Sequence, residues 1–280
     1  MHYIDIGANL THESFASDLD QVLLAASEAD VRTLIVTGST VTESQQAATL
    51  AAQRTGLYAT AGVHPHYADD YQPETQAQLQ AIVESASRPG DSDPYGKVIA
   101  IGECGLDYHR NFSTHSAQLY ALESQLELAC KLKLPVFLHE RDAFEDFYHV
   151  LARYHQDLFR WVVHCFTGTQ AMMEAYVQLG AYIGVTGWVC DERRGQSLQA
   201  AVPFIPADRL VIETDAPYLL PRHLKPKPKG RRNEPQYLPQ IAVVIAELRN
   251  ESVQQLKTIC WKNTQRLFDL SHVESLQFTG

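Results

Sequence analysis

Four short apolar runs in this chain each end on a residue that can bind a divalent metal. The four endings are Glu103 after residues 97–102, His139 after residues 134–138, His164 after residues 161–163, and Glu213 with Asp215 after residues 209–212. Carboxylate and imidazole together suit hard and borderline cations, so Mg²⁺, Mn²⁺ and Zn²⁺ all match this set. One such ending is commonly a hydrogen-bonded strand terminus, but buried charges need pairing or a metal, and four together favour a metal site. The pattern therefore predicts a metal-dependent hydrolase.

Side chains alternate along a barrel strand, and this alternation sorts the candidates by direction. Neighbouring residues point to opposite sides, and residues two apart share a side. Glu213 and Asp215 should therefore face the same way. If Glu103 and His164 point into the barrel, the cysteine that follows each of them, such as Cys165, faces the helices. We therefore expect no thiolate ligand.

Two histidines and two aromatic residues should lie near the metal-competent strand endings. His64 and His66 flank a proline that ends the third apolar run, and near neutral pH they could bind a metal, act as general acids or donate to a phosphate. A turn that satisfies both rings with backbone carbonyls is the alternative. Trp188 and Tyr218 either stack on nucleic-acid bases or pack their loops against the barrel.

A basic, proline-rich loop follows the last apolar run. Residues 221–232 contain six Lys and Arg residues and no acid, and residues 191–194 add two arginines. The formal net charge of −10 argues against a simple basic nucleic-acid binder. A local basic cluster beside the mouth would still bind a polyanionic substrate through Arg222, Arg231 and Arg232. A solvated charged loop is the alternative.

Eight apolar segments form the strands that would position these residues, because parallel strands buried on both faces read as continuous apolar runs. The predicted strands are Tyr3–Ile6, Thr33–Thr37, Leu57–Val63, Lys97–Glu103, Leu134–His139, Trp161–Phe166, Ala181–Thr186 and Arg209–Glu213. Helical spacing of apolar residues predicts a helix over Thr114–Leu132. Capping boxes begin helices at Thr40–Glu43 and Ser252–Gln255, the second helix reaching about Leu270.

The strand–helix alternation, repeated eight times, predicts a TIM (β/α)8 barrel of the α/β class. Active sites of such barrels lie at the carboxyl ends of the strands, where the metal-competent endings would meet. An open doubly wound sheet is the alternative, but no Gly-x-Gly-x-x-Gly motif follows the first strand.

Length and composition limit the class of protein. At 280 residues and 45% hydrophobic, the chain has room for one large core, so we expect a single barrel domain over residues 1–280, with residues 88–96 as a turn-rich loop. No apolar stretch approaches the roughly 18 residues of a membrane span, and no basic region followed by an apolar segment opens the chain. Five scattered cysteines without Cys-x-x-Cys spacing indicate reduced thiols. We therefore expect a cytoplasmic protein.

Five motifs, in this order, resemble those of the TatD family of metal-dependent deoxyribonucleases. They are Gly-Val-His-Pro-His at 62–66, Ile-Gly-Glu-Cys-Gly-Leu-Asp at 101–107, Pro-Val-Phe-Leu-His-Glu-Arg-Asp at 135–142, His-Cys-Phe-Thr-Gly at 164–168 and Glu-Thr-Asp-Ala-Pro-Tyr-Leu at 213–219. The similarity runs from Asp5 to Arg266 and implies a TIM barrel of the amidohydrolase type. By this resemblance the metal ligands would be Glu103, His139, His164 and Asp215. Glu213 and His64 would complete the catalytic face.

The first strand departs from the pattern of most of the family, which opens with Asp-x-His-x-His. Here the stretch is Asp5-Ile-Gly-Ala-Asn9, so Gly7 and Asn9 stand where two histidines would be. The opening is similar to that of the namesake TatD branch, which shares Asp-Ile-Gly-x-Asn-Leu. Loss of two imidazoles leads us to expect one tightly bound metal rather than two.

The resemblance implies hydrolysis of DNA phosphodiester bonds from a 3′ end, with Mg²⁺ as the expected metal, single strands favoured and RNA as an alternative substrate. Asp215 would accept the proton of the attacking water, and His64, His66 and the loop arginines would contact phosphate oxygens. An amidohydrolase-type hydrolase of C–N or ester bonds and a non-catalytic binding protein are the alternatives. We expect no membrane association and no obligate protein partner.

Overall fold

The computed structural model describes residues 1–86, 96–226, 228 and 230–270. Most of the loop expected at residues 88–96, and both Lys227 and Lys229 of the basic loop, lie outside the described residues. None of the helices in the described part of the chain combines the length and apolar character that a membrane span needs.

Eight parallel strands, hydrogen-bonded in chain order, form the barrel, and each overlaps one of the eight predicted strands, although the bounds differ at one or both ends. The strands are β1 (Tyr3–Ala8), β2 (Val31–Val36), β3 (Leu57–Ala61), β4 (Val98–Asp107), β5 (Val136–Arg141), β6 (Trp161–Val163), β7 (Tyr182–Val185) and β8 (Leu210–Ile212). A parallel bridge between Ala8 and Ala216 joins the first strand to the chain after the last. The buried Asp5 carboxylate strengthens that junction by accepting the Thr214 backbone N–H at 2.9 Å.

Helices follow the strands on the outside of the barrel. They are α1 (Leu19–Glu28), α2 (Val41–Gln53), α3 (Thr75–Ala86), α4 (His115–Leu132), α5 (Phe144–Tyr154), α6 (Gln170–Gln178), α7 (Gln196–Ala201), α8 (Leu238–Arg249) and α9 (Val253–Leu267). The Thr40 side chain caps α2 by accepting from the Glu43 backbone, and Ser252 and Gln255 form the reciprocal capping box of α9. α9 ends at Leu267, three residues before the expected end.

Two apolar layers hold these elements together. One lies between the strands and the surrounding helices. The other fills the barrel interior with side chains such as Ile6, Phe137 and Val211, and Leu267 and Phe268 from the end of α9 contribute to it. Polar side chains are therefore directed to the carboxyl ends of the strands, where the interior opens.

Candidate active site

A cavity of about 590 Å³ opens at the carboxyl ends of the strands. Five of the residues predicted from strand ends line it, namely His64, Glu103, His139, His164 and Asp215. His66, Trp188 and Tyr218 line it as well. These predicted strand-end residues therefore lie together in one cluster.

Three imidazoles converge on one carboxylate oxygen in this cluster. Glu103 Oε1 lies 2.7 Å from His164 Nε2, 3.1 Å from His139 Nδ1 and 3.2 Å from His64 Nε2. One potential ligand atom from each of His64, Glu103 and His139 lies within 4.8 Å of the other two, a spacing that one metal ion could bridge.

His139 and His164 each have a carboxylate beside the ring nitrogen that faces away from Glu103. His139 Nε2 lies 3.4 Å from Asp107 Oδ2, and His164 Nδ1 lies 3.4 Å from Glu213 Oε2. A carboxylate in this position fixes the ring orientation and leaves the other nitrogen for a metal. The arrangement fits a divalent metal held by His139 Nδ1, His164 Nε2 and Glu103.

His64 has a different environment, although it belongs to the same cluster. Its Nδ1 accepts a hydrogen bond from the His66 backbone N–H at 3.1 Å. A neutral imidazole that accepts through Nδ1 carries its proton on Nε2, the atom that faces Glu103. In this tautomer His64 offers an N–H group to the cavity, and its Nε2 has no lone pair free for a metal.

The electrostatics of the cluster also fit a cation. Burial opposes ionisation of Glu103, but the imidazoles of His164 and His64 outweigh it and hold the pKa of this carboxyl well below its ordinary value. Burial lowers the pKa of His64 to about 4. Burial also raises the pKa of Asp215 to about 8, and the Glu103 charge adds to this effect. A divalent cation here would favour the ionised form of both carboxylates.

Glu213 lies behind His164 and does not line the cavity. It is fully buried, and its Oε1 accepts the Cys165 backbone N–H at 2.6 Å. Glycines on two strands make room for it, because a Cβ atom at Gly7 or Gly184 would lie 2.5 or 2.7 Å from the Glu213 carboxylate oxygens. Gly7, one of the departures from the family pattern, thus leaves space that the Glu213 carboxylate occupies. Among the described contacts, Glu213 positions His164.

Two further residues, Asp107 and Asn9, contact the cluster. The sequence motifs predicted no role for Asp107, and Asn9 was noted only as a departure from the family pattern. β4 extends four residues beyond Glu103, so Asp107 shares the Glu103 side of the strand and accepts from His66 Nε2 at 2.8 Å. Asn9 Nδ2 donates to Asp215 Oδ1 at 3.2 Å. The strand alternation after Glu103 could have identified Asp107.

The expectation that Cys165 faces the helices is wrong. β6 ends at Val163, and Cys165 has a left-handed backbone conformation with φ of 45°, so strand alternation no longer sets its direction. Its side chain lines the cavity. Burial raises the pKa of this thiol well above its ordinary value, which keeps it neutral. Cys104 is buried in the layer beneath the helices, as expected.

The basic loop supplies none of the three arginines that line the cavity in the described part of the chain. Those three are Arg110, Arg141 and Arg194, from other strand ends. Arg232 instead pairs with Asp18 at 2.7 Å and with Glu234 at 2.8 Å. Arg222 Nε lies 3.1 Å from Asp191 Oδ2, and Arg231 is exposed. The sequence could not reveal the Arg232 partner, because Asp18 is 214 residues away in the chain.

Fold and site together define a barrel hydrolase with a metal-competent centre at the carboxyl ends of its strands. The chain belongs to the TatD related DNase family, whose family model matches residues 4–269. A protein of Erwinia billingiae named 3′-5′ ssDNA/RNA exonuclease TatD is 51% identical over 267 residues, covering 95% of this chain and 98% of that protein.

Two solved structures show the same fold over nearly the whole chain. The crystal structure of YJJV, a TatD homolog from Escherichia coli K12, superposes with a TM-score of 0.85 at 30% identity and covers 96% of this chain and 98% of its own. An uncharacterized amidohydrolase from Saccharomyces cerevisiae gives 0.82 at 26% identity, covering 96% and 100%. The predicted TIM barrel of the amidohydrolase type is confirmed.

Proposed function

We propose that this enzyme is a metal-dependent 3′–5′ exonuclease that hydrolyses phosphodiester bonds in single-stranded DNA and RNA. The observation that carries the proposal is the convergence of His64, His139 and His164 on Glu103 beneath a cavity lined by arginines. The name of the Erwinia relative supports this substrate and polarity. A small neutral substrate would have no need of several guanidinium groups at the mouth.

Glu103, His139, His164 and Asp215 would hold one divalent metal. When bound, the metal supplies a Lewis acid that activates water and neutralises charge on the phosphate. We propose Mg²⁺, since substrate phosphates add the oxygen ligands that this ion prefers. Mn²⁺ and Zn²⁺ are the alternatives because imidazole suits them. A single metal agrees with Gly7, which offers no side-chain ligand.

The side chains around the metal would accept a proton, donate to a phosphate oxygen and contact the substrate strand. Asn9 holds Asp215 Oδ1, which leaves Oδ2 to accept the proton of the attacking water. His64 donates through Nε2 to a phosphate oxygen, in agreement with the tautomer that the His66 backbone imposes. His66, bonded to Asp107, contacts the substrate strand at the rim. The five free cysteines agree with a cytoplasmic enzyme.

The test is a substrate panel with metal-free protein. Single strands of DNA and RNA labelled at the 5′ end, the matching duplexes, and simple ester and amide substrates are each incubated before and after addition of Mg²⁺, Mn²⁺ or Zn²⁺. The proposal expects a ladder of 5′-labelled products that shortens from the 3′ end and requires metal. Hydrolysis of esters or amides with intact nucleic acid would overturn it.

A further inference from the structure

Arg194 is held in a fixed position at the cavity by two neighbours. Its Nε donates to Asp191 Oδ2 at 2.9 Å, and its guanidinium carbon lies 4.4 Å from the centre of the Trp188 ring. Half of the Arg194 side chain remains exposed, and the residue lines the cavity. A guanidinium on an indole face with a fixed Nε loses little freedom when it binds a ligand.

Asp191 organises this part of the mouth. It is buried, and its Oδ1 accepts the backbone N–H groups of Arg193 and Arg194 at 3.0 and 3.3 Å. Its Oδ2 receives Arg194 Nε and also lies 3.1 Å from Arg222 Nε. One carboxylate therefore holds two guanidinium groups, which leaves an excess of positive charge at the surface.

We propose that Arg194 and Arg222 form a phosphate-binding subsite for the substrate strand outside the scissile bond, and that Asp191 and Trp188 position it. The proposal rests on the nuclease function proposed above. Asp191 engages Arg194 through Nε, and the described residues supply no hydrogen bond to its Nη1 or Nη2. These two donors match the oxygens of a phosphodiester. The Trp188 face that carries the guanidinium is closed to a stacking base.

The first experiment measures binding of 5′-labelled single-stranded DNA to metal-free full-length protein over a salt series. Arg194→Ala should weaken binding about tenfold or more and reduce the logarithmic salt slope by about 0.7. Arg193→Ala is the matched control, because it removes the same charge from the same loop at an exposed position that does not line the cavity. The control should leave affinity within about twofold of wild type.

Asp191→Asn separates positioning from simple electrostatics. The substitution removes a negative charge at the mouth, so a general field effect predicts tighter DNA binding. The amide keeps an acceptor for the backbone but cannot hold two guanidinium groups, so the proposal predicts binding weaker by several-fold. If Asp191→Asn fails to fold, Arg194→Lys at its exposed position separates the same two explanations. Lysine keeps the charge but loses the planar fork, so the proposal predicts weaker DNA binding and a general field effect predicts no change.

A scan with single methylphosphonate linkages identifies the phosphate. One neutral linkage should weaken binding to wild type and have a clearly smaller effect on Arg194→Ala, because only the Arg222 contact with that phosphate is then left to lose. If wild type binds single strands and Arg194→Ala matches Arg193→Ala, this subsite is wrong and the nuclease function stands. If wild type neither binds nor cleaves nucleic acid, the proposed function fails and the subsite fails with it.

Discussion

At the scale of single residues, Glu213 and Asp107 are expected to act through the histidines in front of them. Glu213→Gln or Asp107→Asn removes a carboxylate that orients a ligating imidazole, so metal affinity should fall about 10- to 100-fold. Calorimetric titration of the metal-free variants with Mn²⁺ measures this. Glu43→Gln is the control, since Glu43 lines the cavity without contacting either histidine in the described structure. Equal affinities in all three variants would contradict the assignment.

Substitution of His64 should lower the rate of the reaction much more than it lowers metal affinity. Its Nδ1 accepts from the backbone, so its Nε2 carries the proton and can donate to substrate. His64→Ala should lower kcat about 100-fold or more while metal affinity changes only a few-fold. His139→Ala should abolish tight metal binding. Loss of metal in His64→Ala as severe as in His139→Ala would make His64 a ligand and refute this division of roles.

A side chain at Gly7 should destabilise the protein. A Cβ at this position lies 2.5 Å from Glu213 Oε2 and 3.0 Å from the Phe137 ring, so Gly7→Ala must displace a buried carboxylate. We expect a loss of about 1–3 kcal/mol in the free energy of unfolding, together with weaker metal binding. Denaturant unfolding checks the first and calorimetry the second. Gly230→Ala, with its nearest atom 3.8 Å away, should be neutral.

At the scale of elements, Arg232 ties the loop after β8 to the segment before α1. Its guanidinium pairs with Asp18 and Glu234 and lies over the Phe15 ring. Arg232→Ala should lower the free energy of unfolding by about 1 kcal/mol, since the pair is partly exposed. Single-stranded DNA binding should be unchanged, and Arg231→Ala should alter neither quantity measurably. Weaker DNA binding by Arg232→Ala alone would restore this residue to the substrate surface.

Sequence patterns located the elements and most residues of the candidate metal site, but they did not show which side chains line the cavity and which lie behind it. Apolar runs predicted the positions of all eight strands, and their polar ends pointed to Glu103, His139, His164 and Asp215, which line one cavity. Strand alternation could not show that Glu213 lies behind His164. That placement also uses the space beside Gly7, which belongs to another strand. Arginine roles depend on partners distant in the chain, which local spacing does not encode.

At the scale of the whole molecule, an acidic protein brings arginines and carboxylates together where the barrel opens. The net charge is −10, yet arginines from three different strand ends line the cavity. Association with a polyanion should therefore depend on these arginines and weaken as salt rises. The apolar interior beneath the cavity keeps the charged groups at one end of the barrel.

The central claim is that the metal centre around Glu103 removes nucleotides from the 3′ end of a single strand. The most direct test compares wild type with Glu103→Gln on 5′-labelled single-stranded DNA, after metal removal and return of Mg²⁺. Glu43→Gln serves as the control for loss of a carboxylate at the mouth. The account predicts metal-dependent shortening from the 3′ end by wild type and Glu43→Gln, and none by a folded Glu103→Gln. Equal shortening by Glu103→Gln would contradict it.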